Sequence, residues 1–364
     1  GQDDDEAAEL ERFRSKLREL DRARGRDGRR LFELPVWHSS EDLRELDRIT
    51  MAAWLDREGF TGWRVRWLAD YGCRDDYGCT IAQTSAFAGL HHFLARGLED
   101  EHDRLLLTWP EGNAALCTAI ATSVELAPRL LAGFAVTAID PDEGRVLAYS
   151  PADDRMLELG ADVVLWAAPR FVLRHVLPRD PLPASALGYT PWLVANVEVR
   201  RRPRGAGAAP AWDNVAVDGE HLGYVVANHL EPLDRQREPG AVLTYYEPRL
   251  ADDDALAQRR NELLGATLPE LGDHVVARLA TMHAGIAADI ATIHVARWGH
   301  AMVRPVPGLL FGEALRTAAA PIGRVLPCAA DVGGLPLFEQ AFALGVVAAE
   351  QALARIGRAS AAMI

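Results

Sequence analysis

The chain has 364 residues, 49% of them hydrophobic and 25% charged, with a net charge of −13. It is long enough for two domains or one large interrupted one, and its composition is that of an ordinary globular protein. The acidic balance excludes a broad nucleic-acid footprint, which needs a basic face. Cys73, Cys79, Cys117 and Cys328 form no zinc spacing and read as buried or free thiols, so no metal is expected. No apolar run is long enough to span a membrane, and the compartment stays open between cytoplasm and export.

In chain order, Leu10, Phe13, Leu17 and Leu20 recur at helical spacing within the charged stretch 3–24 and predict an amphipathic helix. Ser39 with Asp42 resembles a capping box opening a helix that Gly59 closes, with Leu43, Leu46, Thr50, Ala53 and Trp54 along one face. Thr80 with Gln83 repeats the signature ahead of Ala86, Leu90 and Leu94. The first hundred residues are therefore expected to be mainly helical. A short strand follows at Leu105–Thr108, then a turn at Trp109–Asn113 and a helix to about residue 125. Phe134–Ile139 and Arg145–Tyr149 alternate like paired strands around the turn Asp140–Gly144. Val163–Ala168 is a continuous apolar run, as in a strand buried on both faces. Further strands are expected at Pro191–Arg200, Leu222–Asn228, Ala241–Glu247 and Ile290–Trp298, with helices at 251–265 and 268–284.

The segment Gly323–Gly345 holds a short apolar strand, then Asp331 and a glycine pair, then an alanine-rich helix. That order places an acid at the carboxyl end of a strand and beside a helix N-terminus, where dinucleotides and phosphates are held. His300 is the polar candidate for general-base or orienting work, against the alternative of a packed histidine with a backbone partner. Trp192, Tyr245 and Tyr246 lie on strands, and core packing explains at least two of them. His91 and His92 open no HExxH pattern and read as one buried and one wet helix histidine. No nucleophile elbow, P-loop or EF-hand is found, which leaves hydrolase and nucleotide-triphosphatase readings without support.

Taken in order, Trp109–Asn113, Val136–Ile139, Ala161–Pro169 and Gly323–Gly345 resemble the flavin-containing amine oxidase superfamily, which also holds protoporphyrinogen oxidases and carotenoid desaturases. The resemblance implies an α/β fold with interleaved α+β segments: the C-terminal part of an FAD-binding Rossmann-like domain, and a substrate domain of mixed sheet and helices. The implied divisions are 1–104 (helical part of the substrate domain), 105–178 (FAD-binding), 179–298 (substrate sheet and helices) and 299–364 (FAD-binding). It also implies non-covalent FAD, with Val136 at the adenine and Ala330 and Asp331 at the ribityl or pyrophosphate region. The helix start at Leu337, Phe338, Glu339 and Ala341 would meet the pyrimidine edge of the flavin. A small organic substrate would meet Trp192, Ala195 and Trp298, with His300 as the catalytic candidate.

The departures from the family are definite. No Gly-x-Gly-x-x-Gly turn occurs, so the resemblance implies about a hundred further residues ahead of Gly1. On that reading the 364-residue chain alone binds FAD weakly or not at all. Ala195 falls near the position of the family's active-site lysine, and Lys16 is the only lysine in the chain. Leu337 and His300 or Ala301 stand where aromatic rings enclose an amine, so the cation–π attraction for an ammonium group is lost. The expected reaction is hydride transfer from a small organic molecule to flavin N5. Two alternatives stay open: a cofactor-free remnant with a binding or structural role, and an FAD-dependent desaturase or isomerase acting on an apolar substrate.

Overall fold

The computed structural model describes residues 2–98, 109–203, 211–217, 219–230 and 239–358. The expected strand at Leu105–Thr108 lies outside the described residues. The chain divides into two compact units: Gly1–Glu99 with Leu130–Gly188 and Met302–Ile364, and Asp100–Arg129 with Tyr189–Ala301. The first helical block thus shares a unit with the segments that carry Val136 and Asp331.

The first unit begins with helices α1 (Gln2–Arg22), α2 (Met51–Arg57), α3 (Trp63–Tyr77) and α4 (Ala86–Leu94). Phe13, Met51, Trp54, Leu55, Tyr77, Phe87 and Leu90 form their common core. The single helix expected from Ser39 to Gly59 is broken in two. Ser40 caps a 3-10 turn over Glu41–Arg48, and Thr50, expected on a helix face, instead accepts from the Ala53 N–H as the N-cap of α2. A β-bridge between Thr50 and Ser85 holds Thr50 extended, which a helix interior would forbid. Ser85, not Thr80, caps α4, while the Gln83 side chain accepts from the Thr80 N–H in the preceding turn.

Strands β1 (Ala135–Asp140), β2 (Arg145–Ser150) and β3 (Arg155–Gly160) form an antiparallel meander, the third strand not being foreseen. Gly144 in the β1–β2 turn has φ +70°, and an added Cβ would strike the Ala161 carbonyl, so this turn requires glycine. The chain continues into β4 (Val164–Trp166), the one-turn helix α6 (Arg170–Leu173), α9 (Glu313–Ala319), β10 (Val325–Pro327) and α10 (Phe338–Arg355). β4 and β10 pair in parallel, and Ile139, Val146, Trp166, Leu173 and Val325 pack together beneath them. The expectation that β4 is buried on both faces fails: Trp166 is buried, but Leu165 is 43% exposed. Among the described residues β4 pairs with β10 alone, and it is the side of Val164 and Trp166 that is packed, against Ile139, Leu173 and Val325.

In the second unit, α5 (Ala114–Ser123) precedes a five-stranded sheet of order β6-β7-β8-β5-β9. Its strands are β5 (Tyr189–Val199), β6 (Asp213–Asn214), β7 (Tyr224–Val226), β8 (Ala241–Pro248) and β9 (Ile290–Val303). Helices α7 (Leu256–Gly265) and α8 (Leu268–Met282) cover one face. α8 opens with a capping box between Thr267 and Glu270 and a proline in its first turn, both satisfying orphan N–H groups. Leu193, Ala195, Val197, Leu243 and Tyr245 from the sheet meet Leu263, Leu271, Val275 and Leu279 from the helices.

Candidate functional site

In the first unit the candidate site is built at the carboxyl ends of the parallel pair. After β10 the chain turns through Asp331, which is 6% exposed. Its Oδ2 accepts from the Arg170 backbone N–H at 2.6 Å, so the acid caps α6, the turn that follows β4. Arg170 is itself buried. It grips Asp180 with both terminal nitrogens, at 2.6 and 2.5 Å, and donates Nε–H to the Ala318 carbonyl at 3.2 Å. Burial pushes the Asp180 carboxyl up, but the Arg170 guanidinium and the Leu182 N–H outweigh it and hold it below its ordinary value.

α10 begins shortly beyond the glycine pair, with Leu335, Pro336 and Leu337 between them. Its N-cap, Leu337, supplies no side-chain cap, and the first intrahelical bond runs from the Ala341 N–H to the Leu337 carbonyl at 3.1 Å. The N–H groups of Phe338, Glu339 and Gln340 precede that bond and carry the positive end of the helix dipole. Ala341, expected among the donors, spends its N–H inside the helix. Glu339 points its carboxylate to Arg96, at 2.9 and 3.1 Å, which offsets its negative charge near this helix end. Ala330 begins the 3-10 turn that contains Asp331.

Gln340 escaped the sequence reading. It is fully buried in the first turn of α10, its Oε1 accepting from the Val36 N–H at 3.0 Å and tying the helix start to the N-terminal helical core. Nothing local distinguishes it from an ordinary helix glutamine, because its partner lies 304 residues away. Val136 sits on β1, an edge strand of its sheet, beside a β-bulge that shifts the register between Val136 and Ala138. The valine is 38% exposed, and a bulge of this kind re-aims the main chain of an edge strand.

In the second unit, strand parity sorts the expected substrate residues. Trp192 and Ala195 are three apart on β5 and therefore point to opposite faces. Ala195, opposite Tyr245, is fully buried under α7 and α8. Trp192 is on the other face, with Val194 and Asn196, and its indole stacks on Tyr246 with ring centroids 6.4 Å apart and planes 6° from parallel. Asn196 is exposed and accepts from the Thr244 hydroxyl at 2.9 Å. On β9, Ile293 and Val295 pack into the helix-covered core, whereas His294 reaches Glu198 of the open face at 3.4 Å. Trp298 and His300 share the parity of His294 and so belong to the open face. Trp298 is 56% exposed, and the His300 ring meets Tyr189 edge-on at 5.7 Å. The face opposite the helices thus collects Trp192, Asn196, Thr244, Tyr246, Trp298 and His300, with Trp192 itself buried at 4% exposure and Asn196 and Trp298 open. Asn196 and Thr244 were not foreseen, although alternation counted from Trp192 would have marked Asn196.

Behind the sheet, Glu247 is buried and accepts from Tyr245 Oη at 2.5 Å, His274 Nε2 at 2.7 Å and Arg249 at 2.8 Å. Burial opposes its charge, but these donors prevail and bring the carboxyl down to about 2. It is a fixed anion that ties β8 to α8.

The sequence matches no family model and no curated protein. Solved structures share its fold. Cyclohexylamine oxidase from Brevibacterium oxydans IH-35A superposes with a TM-score of 0.61 at 18% identity, covering 97% of this chain and 76% of its own. Putrescine oxidase bound to putrescine gives 0.62 at 13% identity with the same coverages. Reduced UDP-galactopyranose mutase gives 0.54 at 13% identity, covering 86% of this chain and 71% of its own. The α/β architecture is therefore that of these enzymes. Among the described residues no helix is long and apolar enough to cross a membrane.

Proposed function

We propose that this protein is an FAD-dependent oxidoreductase that takes hydride from a small organic substrate. The observation that carries the reading is the uncapped N-terminus of α10, standing behind Asp331 at the end of a parallel strand pair, within a fold shared with two amine oxidases. The donor set fits the cofactor. Three N–H groups at Phe338, Glu339 and Gln340 suit the electron-rich pyrimidine edge of a flavin, whose ring accepts hydride when bound. Asp331 keeps acceptor capacity beyond its bond from Arg170, since a carboxylate offers about four lone-pair sites, and it would take a ribityl hydroxyl. Val136 would offer its edge-strand main chain to the adenine. The first unit thus supplies the cofactor contacts.

The second unit supplies substrate contacts on its open face, where Asn196, Thr244 and His300 offer hydrogen bonds and Trp192 and Trp298 offer apolar walls. These groups favour a small polar substrate over a long apolar one. His300 would orient a substrate carbonyl or hydroxyl, or hold the proton that leaves it. With no lysine on β5 and no ring at Leu337, an amine is the less favoured substrate.

The test is to purify the protein from its complete reading frame without denaturant. The visible bands of an oxidised flavin are expected, with the flavin released into the supernatant on acid precipitation, as for a non-covalent cofactor. A colourless preparation that takes up no added FAD overturns the proposal.

A further inference from the structure

The first unit carries a groove of about 690 Å³ on the outer face of the β1-β2-β3 meander, apart from the residues assigned above to cofactor and substrate. Ile139 and Val146 pack into the core beneath the sheet. Ala138, Leu147 and Glu158 stand opposite one another in register across the three strands and therefore share the other, outer face. The segment 175–179, just after α6, lies along the free edge of β1, where the Ile139 N–H donates to the Val176 carbonyl at 2.7 Å. Leu177 joins Ala138 and Leu147 in an apolar floor.

The charges around this floor are sorted by sign. His175 and Arg179 stand on the side of the 175–179 segment, and Glu158 stands on the β3 side. All three side chains are exposed, and among the described residues no hydrogen bond or ion pair engages them. At the turn end, Arg145 reaches Asp140 at 3.5 Å and Glu143 at 3.3 Å, while Asp140 accepts from the Asp142 and Glu143 N–H groups at 3.1 Å each. That end is largely compensated within itself, and Asp142 adds one more free carboxylate to it. Val176 is one strand spacing from β1, and β3 is two spacings away on the other side, so the two rims stand about 14 Å apart along the backbone. Free charges of opposite sign on two rims of an apolar floor are complementary to a molecule that carries both signs at its ends.

We propose that the groove binds a short unblocked peptide in an extended conformation. Its carboxylate meets Arg179 and His175, its ammonium group meets Glu158, and the chain between them lies over Ala138, Leu147 and Leu177. Three extended residues span about 10 Å, and the reach of the rim side chains makes up the rest of the width. The volume falls within the range of small-ligand sites, roughly 300–1,000 Å³. An anion alone would also face Glu158 and Asp142, and a cation alone would also face Arg179, so one charge of each sign suits the lining best.

Titration calorimetry of the full chain with alanyl-valyl-alanine in low-salt buffer tests this, against the same tripeptide acetylated at its N-terminus, amidated at its C-terminus, or both. No flavin signal enters the readout, so the result is independent of the oxidoreductase reading. The free tripeptide is expected to bind saturably at one site. Each single block should weaken it about two- to fivefold, the size of an exposed ion pair, and the double block should weaken it further. Amidation should matter less in Arg179→Gln than in the parent, and acetylation should matter less in Glu158→Gln. Both changes fall on exposed side chains, so thermal melting of each variant should stay at the parent's value. The proposal is overturned if the free tripeptide does not bind, if the doubly blocked one binds equally well, or if both variants respond to blocking as the parent does.

Discussion

Replacing Arg170 with leucine removes the buried cation that links Asp180 to the end of α9. Two charge-assisted bonds to Asp180 and one bond to the Ala318 carbonyl are lost together. The Asp180 side chain is only 7% exposed, so its carboxylate would keep the Leu182 N–H and little else. Stranding a buried charge in this way costs about 3–5 kcal/mol, far more than deleting both partners. The Asp331 cap is spared, because it binds the Arg170 main chain, which leucine retains. Urea unfolding of Arg170→Leu at neutral pH, followed by circular dichroism, should therefore show a loss in that range. The double variant Arg170→Met/Asp180→Leu should recover most of it, to within about 1–2 kcal/mol of the parent. A single variant within about 1 kcal/mol of the parent, or a double variant no better than the single, would refute the reasoning.

Two further predictions follow from burial and from strand parity. Asp47 is 2% exposed, and burial raises its carboxyl from 3.8 to about 6 against hydrogen bonds from Ser85, Phe311 and Leu310. The folded state then holds the proton more tightly than the unfolded one. Stability from this group is fully present below the unfolded value and is lost as pH rises through 6, a penalty of up to about 3 kcal/mol at pH 8. Asp47→Asn should accordingly be more stable than the parent at pH 8, with the difference shrinking toward pH 5. An equal effect at both pH values in urea melts would remove this account. On β5, Ala195→Leu should overpack the helix-covered core and cost about 1–3 kcal/mol, whereas Asn196→Leu on the open face should change stability by less than about 0.5 kcal/mol. If the open face contacts substrate, Asn196→Leu raises KM while thermal melting stays near the parent; the reverse pattern would place the substrate elsewhere.

Much of the local structure was legible in the residues. The period of Leu10, Phe13 and Leu17 named α1, and the alternation of Phe134–Ile139 and Arg145–Tyr149 around a glycine turn named the β1–β2 hairpin. Asp331 was recognised as an acid between a strand and a helix. Its bond to Arg170, 161 residues away, could not be recognised, because no local pattern encodes that pairing. Gln340 was invisible for the same reason. The break at Thr50 was missed because the β-bridge to Ser85 overrides a face that reads as continuous helix. The six-residue strand β3 beside the hairpin, Arg155–Gly160, was passed over since exposed strands lack a strong apolar alternation.

By itself the sequence marked most of the helices and strands and their order, though not β3 or the break at Thr50, since periodicity and caps act within a few residues. Only the tertiary structure decided which side of each strand is covered. It set Trp192 and His300 on the open face of the second unit and Ala195 in the core. It also turned Asp331 into the cap of a helix that follows another strand. Such assignments depend on which distant segments pack together, and the free energy of that packing resides in contacts between elements rather than within them.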